Sequence, residues 1–456
     1  MNDTRKASFD LLRGKIPPMI LRIAFPTTLA LLTNSLFHVA DALFLSKLGT
    51  NESAAVGVTF ALQVLFQAIG YTCGTGGGSL VSRYLGKGEH EPASQVARAA
   101  FLLAISLGFL ITGIGQLFLM QLLPLLGARE DIYPYAIQYL RVFLWSAPAV
   151  CSSFTLSQLL RSEGLASFGM YGLVVANSVN ILLDPLFIFH FGLGLRGAAF
   201  STLISQWLGC IILILVYLTK NSKIKLFSTS MKTSYQRIPQ ILLAGLPSLL
   251  RQGLICVATV MLNHGAAEVG VSAVAAMSVV NRIFLLTYSF SAGIGQGMMS
   301  LIGYNSGAHQ WMRVRRALSF AVIFTSLGML LISLPILQFA PQIVAFFRPE
   351  SAVVSFGSIA LRALMLVLFV HGITTPCSMA LQALGKPLAA SLVACGRQGL
   401  FFLPLITWLP QRFGASSVIL VQPLADLGSW LFALPFLIYL FRWLGRQARS
   451  EEPASP

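Results

Sequence analysis

Apolar residues come in long runs along this chain, and polar positions fall between the runs far more often than within them. A helix that crosses a bilayer needs about 20 predominantly apolar residues. The runs divide into twelve such candidates, the first from after Lys15 to about Leu48. The pattern predicts an all-α polytopic membrane protein, because a helix pairs its own backbone polar groups where lipid offers no partner. Proline and glycine punctuate the runs. Pro26 lies in the first third of the first run and predicts a hinge, since proline removes a backbone donor and crowds the preceding turn. The second run carries Gly70, Gly74, Gly76, Gly77 and Gly78, which predicts close approach of a neighbouring helix or a bend. No Gly-Lys-Ser/Thr follows these glycines, so they are not a phosphate-binding loop.

The polar residues that do interrupt the runs are the candidate chemistry. Asp41 stands towards the far end of the first run, and Asn177-Ser178-Val179-Asn180-Ile181-Leu182-Leu183-Asp184-Pro185 lies inside the fifth. An ionised carboxylate at membrane depth costs roughly 2.5–3.5 kcal/mol on insertion scales, so it faces protein or water and marks function by default. On a helix, Asn177, Asn180 and Asp184 fall at i, i+3 and i+7 and project from one face. For the asparagines alone, interhelical hydrogen bonding is the competing account.

Composition agrees with the pattern. Of 456 residues, 56% are hydrophobic and 10% charged, against about 25% charged in soluble domains; the mean hydropathy is +0.77. The polar, basic start MNDTRKASFDLLRGK carries no expectation of a cleavable signal peptide. Six cysteines sit in apolar surroundings without a paired spacing, which argues against disulfides or a zinc site. The net charge of +16 suggests nucleic acid until its placement is considered. On the predicted topology twenty of the 31 Lys and Arg fall on one side, five on the other and six within spans. The crowded side includes Arg5, Lys6, Arg13, Lys15, Lys220, Lys232, Arg313, Arg315, Arg316, Arg442 and Arg446; the sparse side holds Lys47, Arg129, Arg196, Arg348 and Arg412. This is the positive-inside bias, and it places both termini in the cytoplasm of a cell inner (plasma) membrane protein. No nucleic-acid partner is expected.

The pattern also restarts. A shift of 221 residues sets Pro26 on Pro247, Gly49 on Gly270, Gly74 on Gly295, Gly86 on Gly307, Arg141 on Arg362 and Gly164 on Gly385. Agreement of Gly, Pro and Arg at one ungapped offset predicts an internal repeat of six plus six helices. Six is even, so the halves are parallel repeats, two six-helix bundles around a central cavity. The expected division is a lobe over 1–219, a basic cytoplasmic linker over 220–237, a second lobe over 238–446 and a tail over 447–456.

Several stretches resemble the multidrug and toxic compound extrusion (MATE) family. They are Val39-Ala40-Asp41-Ala42-Leu43-Phe44 with Leu48-Gly49, the glycine run from Gly74 to Gly88, and Asn180-Ile181-Leu182-Leu183-Asp184-Pro185-Leu186-Phe187 followed by Gly197-Ala198-Ala199. In the second half, Gly245-Leu246-Pro247-Ser248, Gly295-Gln296-Gly297 and Asn305-Ser306-Gly307-Ala308 match as well. Together they cover essentially the whole chain and look most like the branch whose cation site lies in the amino-terminal lobe. The resemblance implies an alternating-access antiporter, an exporter of amphipathic, often cationic drugs or toxic metabolites in exchange for H⁺ or Na⁺. It implies a coupling site of Asp41, Asn180, Asp184 and Thr202, which would be the Na⁺ ligands if sodium is the coupling ion, with Tyr139 lining the same lobe. Ser157 stands where relatives of this branch commonly carry Asn, exchanging an amide for a shorter hydroxyl. No cofactor and a monomeric state are expected. Independently, two carboxylates sharing a desolvated pocket cannot both stay ionised cheaply, and oxygen-only ligands suit a hard cation such as Na⁺.

The second half lacks these acids, since Asp41 aligns with Leu262 and Asp184 with Leu405. It holds Arg251, Gln252, Arg282, Arg362, Arg397 and one central acid, Asp426. Asn34, Tyr139, Ser157, Asn177, Arg251, Gln252, Arg282, Arg397 and Asp426 are the expected lining of the substrate cavity. For the arginines, one account pairs one of them with Asp426; the other is an anion-binding lobe for a lipid head group or an acidic substrate. The latter keeps open an alternative function, a flippase for a lipid-linked precursor of the same broader fold. An intramembrane aspartyl protease would place its acids in Tyr-Asp and Gly-x-Gly-Asp contexts, whereas here they are Ala-Asp and Leu-Asp-Pro. No nucleophile triad, metal cluster or nucleotide loop is present in the sequence, so the reading is a transporter and no enzyme.

Overall fold

The computed structural model describes residues 11–126, 128, 130–219, 222–227 and 235–450. Of the basic residues used for topology, Arg5, Lys6, Arg129, Lys220 and Lys232 lie outside the described residues, as do half of the 220–237 linker and the end of the tail. Among the described residues the chain is helical and contains no strand. Twelve helices are long and apolar enough to cross a membrane. In order they are Ile16–Leu45, Ala54–Gly86, His90–Leu117, Glu130–Ser162, Ala166–His190, Gly194–Leu218, Ile238–Val269, Ser272–Gly307, Trp311–Gln338, Ser351–Ala383, Pro387–Phe413 and Ala415–Arg449. The chain is a multi-pass membrane protein. Its exposed faces are apolar, with Leu117, Leu125 and Leu182 each more than two-thirds accessible, while Asn177, Asn180, Asp184, Ser201 and Asp426 are buried. That is the distribution expected where the solvent outside is hydrocarbon.

Four spans depart from plain helix mid-course, the fourth, fifth, tenth and eleventh, and in the first two of these a proline stands at the break. The fourth runs as a helix over Tyr133–Phe143, tightens into a 3₁₀ turn over Leu144–Ser146 and resumes over Ala147–Ser162. Pro148 has no N–H to offer the carbonyl four residues earlier, and Thr112 Oγ1 of the third span donates to that carbonyl, Leu144 O, at 2.7 Å. In the fifth span the helix Ala166–Pro185 passes into a π turn over Leu186–His190, with Phe191 N bonded to Leu186 O at 2.9 Å. Pro185 interrupts the i→i−4 ladder at the point where this widening starts.

The repeat is visible in the helix ends. Thr50–Gly86 and Val271–Gly307 are both 37 residues long and His90–Leu117 and Trp311–Gln338 both 28, each pair at the same sequence offset. Gly49 (φ +156°) and Gly270 (φ +137°) precede the second and eighth spans, and Gly164 (+86°) and Gly385 (+74°) follow the fourth and tenth. These are backbone conformations that a Cβ disfavours, so glycine recurs at both copies.

Two compact units emerge. Unit 1 comprises Met1–Leu11 and Leu29–Leu249, and unit 2 comprises Leu12–Thr28 and Leu250–Pro456. The chain changes unit inside the first and seventh spans, two residues after Pro26 and two after Pro247. Within unit 1 the glycines of the second span serve close approach on several faces, in an unbroken helix. A Cβ on Gly70 or Gly74 would lie under 3 Å from the fourth span, one on Gly77 2.8 Å from Ala100, and one on Gly76 2.2 Å from Ile241 O. In unit 2 a Cβ on Gly297 would lie 3.0 Å from Ala24 N of the first span.

Candidate functional site

The polar stripe of the fifth span is buried where that span meets the sixth. Glycines let the two backbones come together, since a Cβ on Gly209 would stand 2.7 Å from both Ala176 Cβ and Gly172 O. Asn177 is 4% exposed, and Asn180 and Asp184 are fully enclosed. The sixth span supplies Ser201 and Thr202 opposite them, both buried. Ser201 Oγ donates to Asp184 Oδ1. With its amide turned so that both neighbours are satisfied, Asn180 donates through its nitrogen to Asp184 Oδ2 at 3.0 Å, and its oxygen accepts from Thr202 N at 3.2 Å and Thr202 Oγ1 at 3.3 Å. Tyr139 of the fourth span lies near Thr202 and stacks on Phe143 with ring centroids 5.2 Å apart. Asp41 of the first span lies within electrostatic range of both Asp184 and Tyr139. Its Oδ1 is sealed from solvent and has no hydrogen-bond partner.

The structure thus brings Asp41, Tyr139, Asn180, Asp184 and Thr202 together from four spans. Asn34 stands two turns before Asp41 on the first span, its amide 3.4 Å from His38 Nε2. Ser157 is elsewhere: it packs on the start of the fifth span, where a Cβ on Gly169 would be 3.2 Å from Ser157 Oγ, about 16 Å along the helix from Asn180. Pro26 lies inside a helix that runs from Ile16 to Ser46.

Unit 2 carries a different centre. Asp426 of the twelfth span accepts from Arg397 Nε at 2.7 Å and Gln422 Nε2 at 2.9 Å, and His371 Nε2 lies 3.3 Å from its other oxygen. The Arg397 guanidinium covers the Phe284 ring at 4.4 Å, and His371 stands 5.6 Å from both Phe284 and Tyr288. An arginine stacked on an aromatic face while donating to a carboxylate is held on two sides. Arg251 and Gln252 are half-buried, and Arg282 is on an exposed face of the eighth span. Nothing in the sequence marks His371 for this centre beyond its place, with Arg362, as a basic residue of the tenth span.

Glu163, between the fourth and fifth spans, is equally unmarked in the sequence. This side chain is 4% exposed. Its Oε2 accepts from Ser222 Oγ at 2.7 Å and Lys223 N at 3.0 Å, which ties the start of the linker to this loop. Burial pushes its carboxyl up to about 7, and the bonds from Ser222 and Lys223 restrain the rise.

Comparison with known proteins agrees with the repeat and with the fold. The MatE family model matches residues 26–186 and again 247–406, once in each half. The multidrug export protein MepA of Staphylococcus aureus (strain MRSA252) is 25% identical over 425 residues, 93% of either chain. The outward-facing structure of a multidrug resistance MATE family transporter of the MOP superfamily superposes with a TM-score of 0.90 at 26% identity, over 96% of this chain and 99% of that one. A MOP superfamily transporter from Pyrococcus furiosus Vc1, described as having a binding pocket of reverse polarity that suggests a different function, gives a TM-score of 0.87 at 25% identity over 96% and 98%. With its family model matched twice over most of its length and its twelve spans superposing on solved members, the chain belongs to the MatE family of multidrug and toxic compound extrusion transporters and is not an enzyme.

Proposed function

We propose that this transporter is a secondary antiporter that exports amphipathic, often cationic compounds or toxic metabolites in exchange for H⁺ or Na⁺, with Asp41, Asn180, Asp184 and Thr202 as the coupling site. The observation that carries the reading is Asp41 Oδ1, an enclosed oxygen without a partner beside a second buried carboxylate. A buried carboxylate left unsatisfied is costly, and a proton or a small cation removes the cost. An organic cation competes for the same negative potential, which is the exchange an antiporter requires. Either ion finds ligands here: Asp184, the Asn180 oxygen and the Thr202 hydroxyl are the hard donors Na⁺ prefers.

Neutralising the pair changes how the first span packs against the fifth and sixth, with Pro26 as the hinge. The protein works as a monomer in the cell inner membrane with both termini cytoplasmic, a reading supported by the charge bias and the even number of spans. In unit 2 Arg397 is committed to Asp426, so no observation favours the flippase.

Ethidium efflux from proteoliposomes under an imposed proton or sodium gradient tests the proposal. Asp41→Asn and Asp184→Asn are each expected to abolish gradient-driven efflux at unchanged reconstitution, and wild-type rates in both would refute it. Thr202→Ala distinguishes the ions, because it removes a Na⁺ ligand and leaves both protonatable oxygens in place. Unchanged transport by Pro26→Ala would remove the hinge alone.

A further inference from the structure

One end of unit 2 holds a cavity of about 460 Å³ walled by four cations, Arg13, Lys15, Arg313 and Arg316. No carboxylate lines it among the described residues, and Pro17 and Phe320 give it an apolar side. Arg313 is fixed in place: Nη2 donates to Gly14 O at 2.7 Å and Nε to Asn305 Oδ1 at 2.9 Å. It therefore joins the approach to the first span to the start of the ninth. The other described acids of unit 2 are engaged or distant. Asp426 binds Arg397, Glu350 lies 3.6 Å from Arg348, and Glu268 is near the far end of the seventh span.

A topology bias requires only a number of basic residues on one side of the membrane. It does not require four of them to line one cavity that also has an apolar side. The depth of the cavity is marked by aromatic rings on the same helix ends. Trp311, at the start of the ninth span, packs edge-on against Trp443 at 5.3 Å, and Lys386 Nζ lies 3.9 Å from the Trp443 ring. Tryptophans of this kind sit at the head-group level. Arginine forks match the oxygens of a phosphate, and a lysine adds a point charge.

We infer that this cavity binds the phosphate head group of an anionic phospholipid, with the lipid's apolar part against Pro17 and Phe320. A lipid held there bridges the first and ninth spans beside the bond that Arg313 already makes to Gly14 O.

Native mass spectrometry of the full chain, titrated with phosphatidylglycerol or phosphatidylcholine, tests this. The wild type is expected to retain phosphatidylglycerol in clear preference. Lys15→Gln/Arg316→Gln, two exposed positions, is expected to lose about thirty-fold of that preference, the worth of two basic residues near an anionic head group. Arg442→Gln/Arg446→Gln removes the same charge from the exposed end of the twelfth span, outside the cavity, and is expected to keep it. Equal retention of the two lipids by the wild type, or equal losses in the two variants, overturns the inference. Displacement of the lipid by excess inorganic phosphate or glycerol phosphate assigns the cavity to a soluble phosphate compound and overturns the lipid identification.

Discussion

Replacing Glu163 by glutamine makes a measurable change in how stability depends on pH. The carboxyl is buried among Ser222, Lys223 N and Tyr217, and burial raises it from 4.5 to about 7. The folded state therefore holds a proton that the unfolded state releases, between about pH 4.5 and about pH 7. An acid raised in the folded state stabilises the fold at low pH, and this contribution disappears as pH climbs through the folded value. From this group alone, the wild type is roughly 2–3 kcal/mol less stable at about pH 8 than at about pH 5. With an unfolding entropy of about 2.1 cal/mol/K per residue over 456 residues, that corresponds to a fall of about 3 °C in Tm. In the Glu163→Gln variant the side chain has no proton to lose, and its amide oxygen keeps an acceptor for Ser222 and Lys223. Melting curves of both proteins in one detergent at several pH values should diverge by this amount as pH rises, the variant being the more stable at the alkaline end. Parallel curves would show that the carboxylate is solvated and that the contact with the linker is not as described.

Two further outcomes are expected. Asp426→Asn leaves the largely buried Arg397 without its counter-charge and should lower stability by up to about 3–5 kcal/mol, whereas Asp426→Asn/Arg397→Met, which removes both charges, should recover most of it; equal losses in the two would refute the pairing as the source. Gly76→Ala places a methyl 2.2 Å from Ile241 O and should destabilise by about 1–3 kcal/mol, while Gly113→Ala, with nothing within 4 Å, should melt like the wild type.

The apolar runs made the number of spans legible, because each run is a length set by the bilayer and needs no tertiary information. The doubled pattern was legible for a similar reason: Gly49 with Gly270 and Gly164 with Gly385 hold backbone angles that only glycine takes easily, so the same letter returns at the same offset. The one-face placement of Asn177, Asn180 and Asp184 followed from helix period, and all three are buried. What lay beyond reach depends on neighbours distant in sequence. Pro148 announces a fault in the fourth span, but not that Thr112, on another helix, would take the released carbonyl. Glu163 reads as an ordinary loop acid until Ser222 and Lys223 close over it. His371 looks like a lone polar residue in an apolar run until Asp426 and Arg397 arrive from two other spans.

The change of unit just past Pro26 and Pro247 bears on biogenesis. The stretch Leu12–Thr28 leaves the ribosome before Leu29–Leu249, yet its packing partners, from Leu250 on, are made only afterwards, and the other unit still awaits the stretch up to Leu249. A polypeptide severed in the basic connector would therefore give two fragments that each carry a strip of the other's interior. Neither would mature alone, and activity would return only when both are synthesised in the same cell.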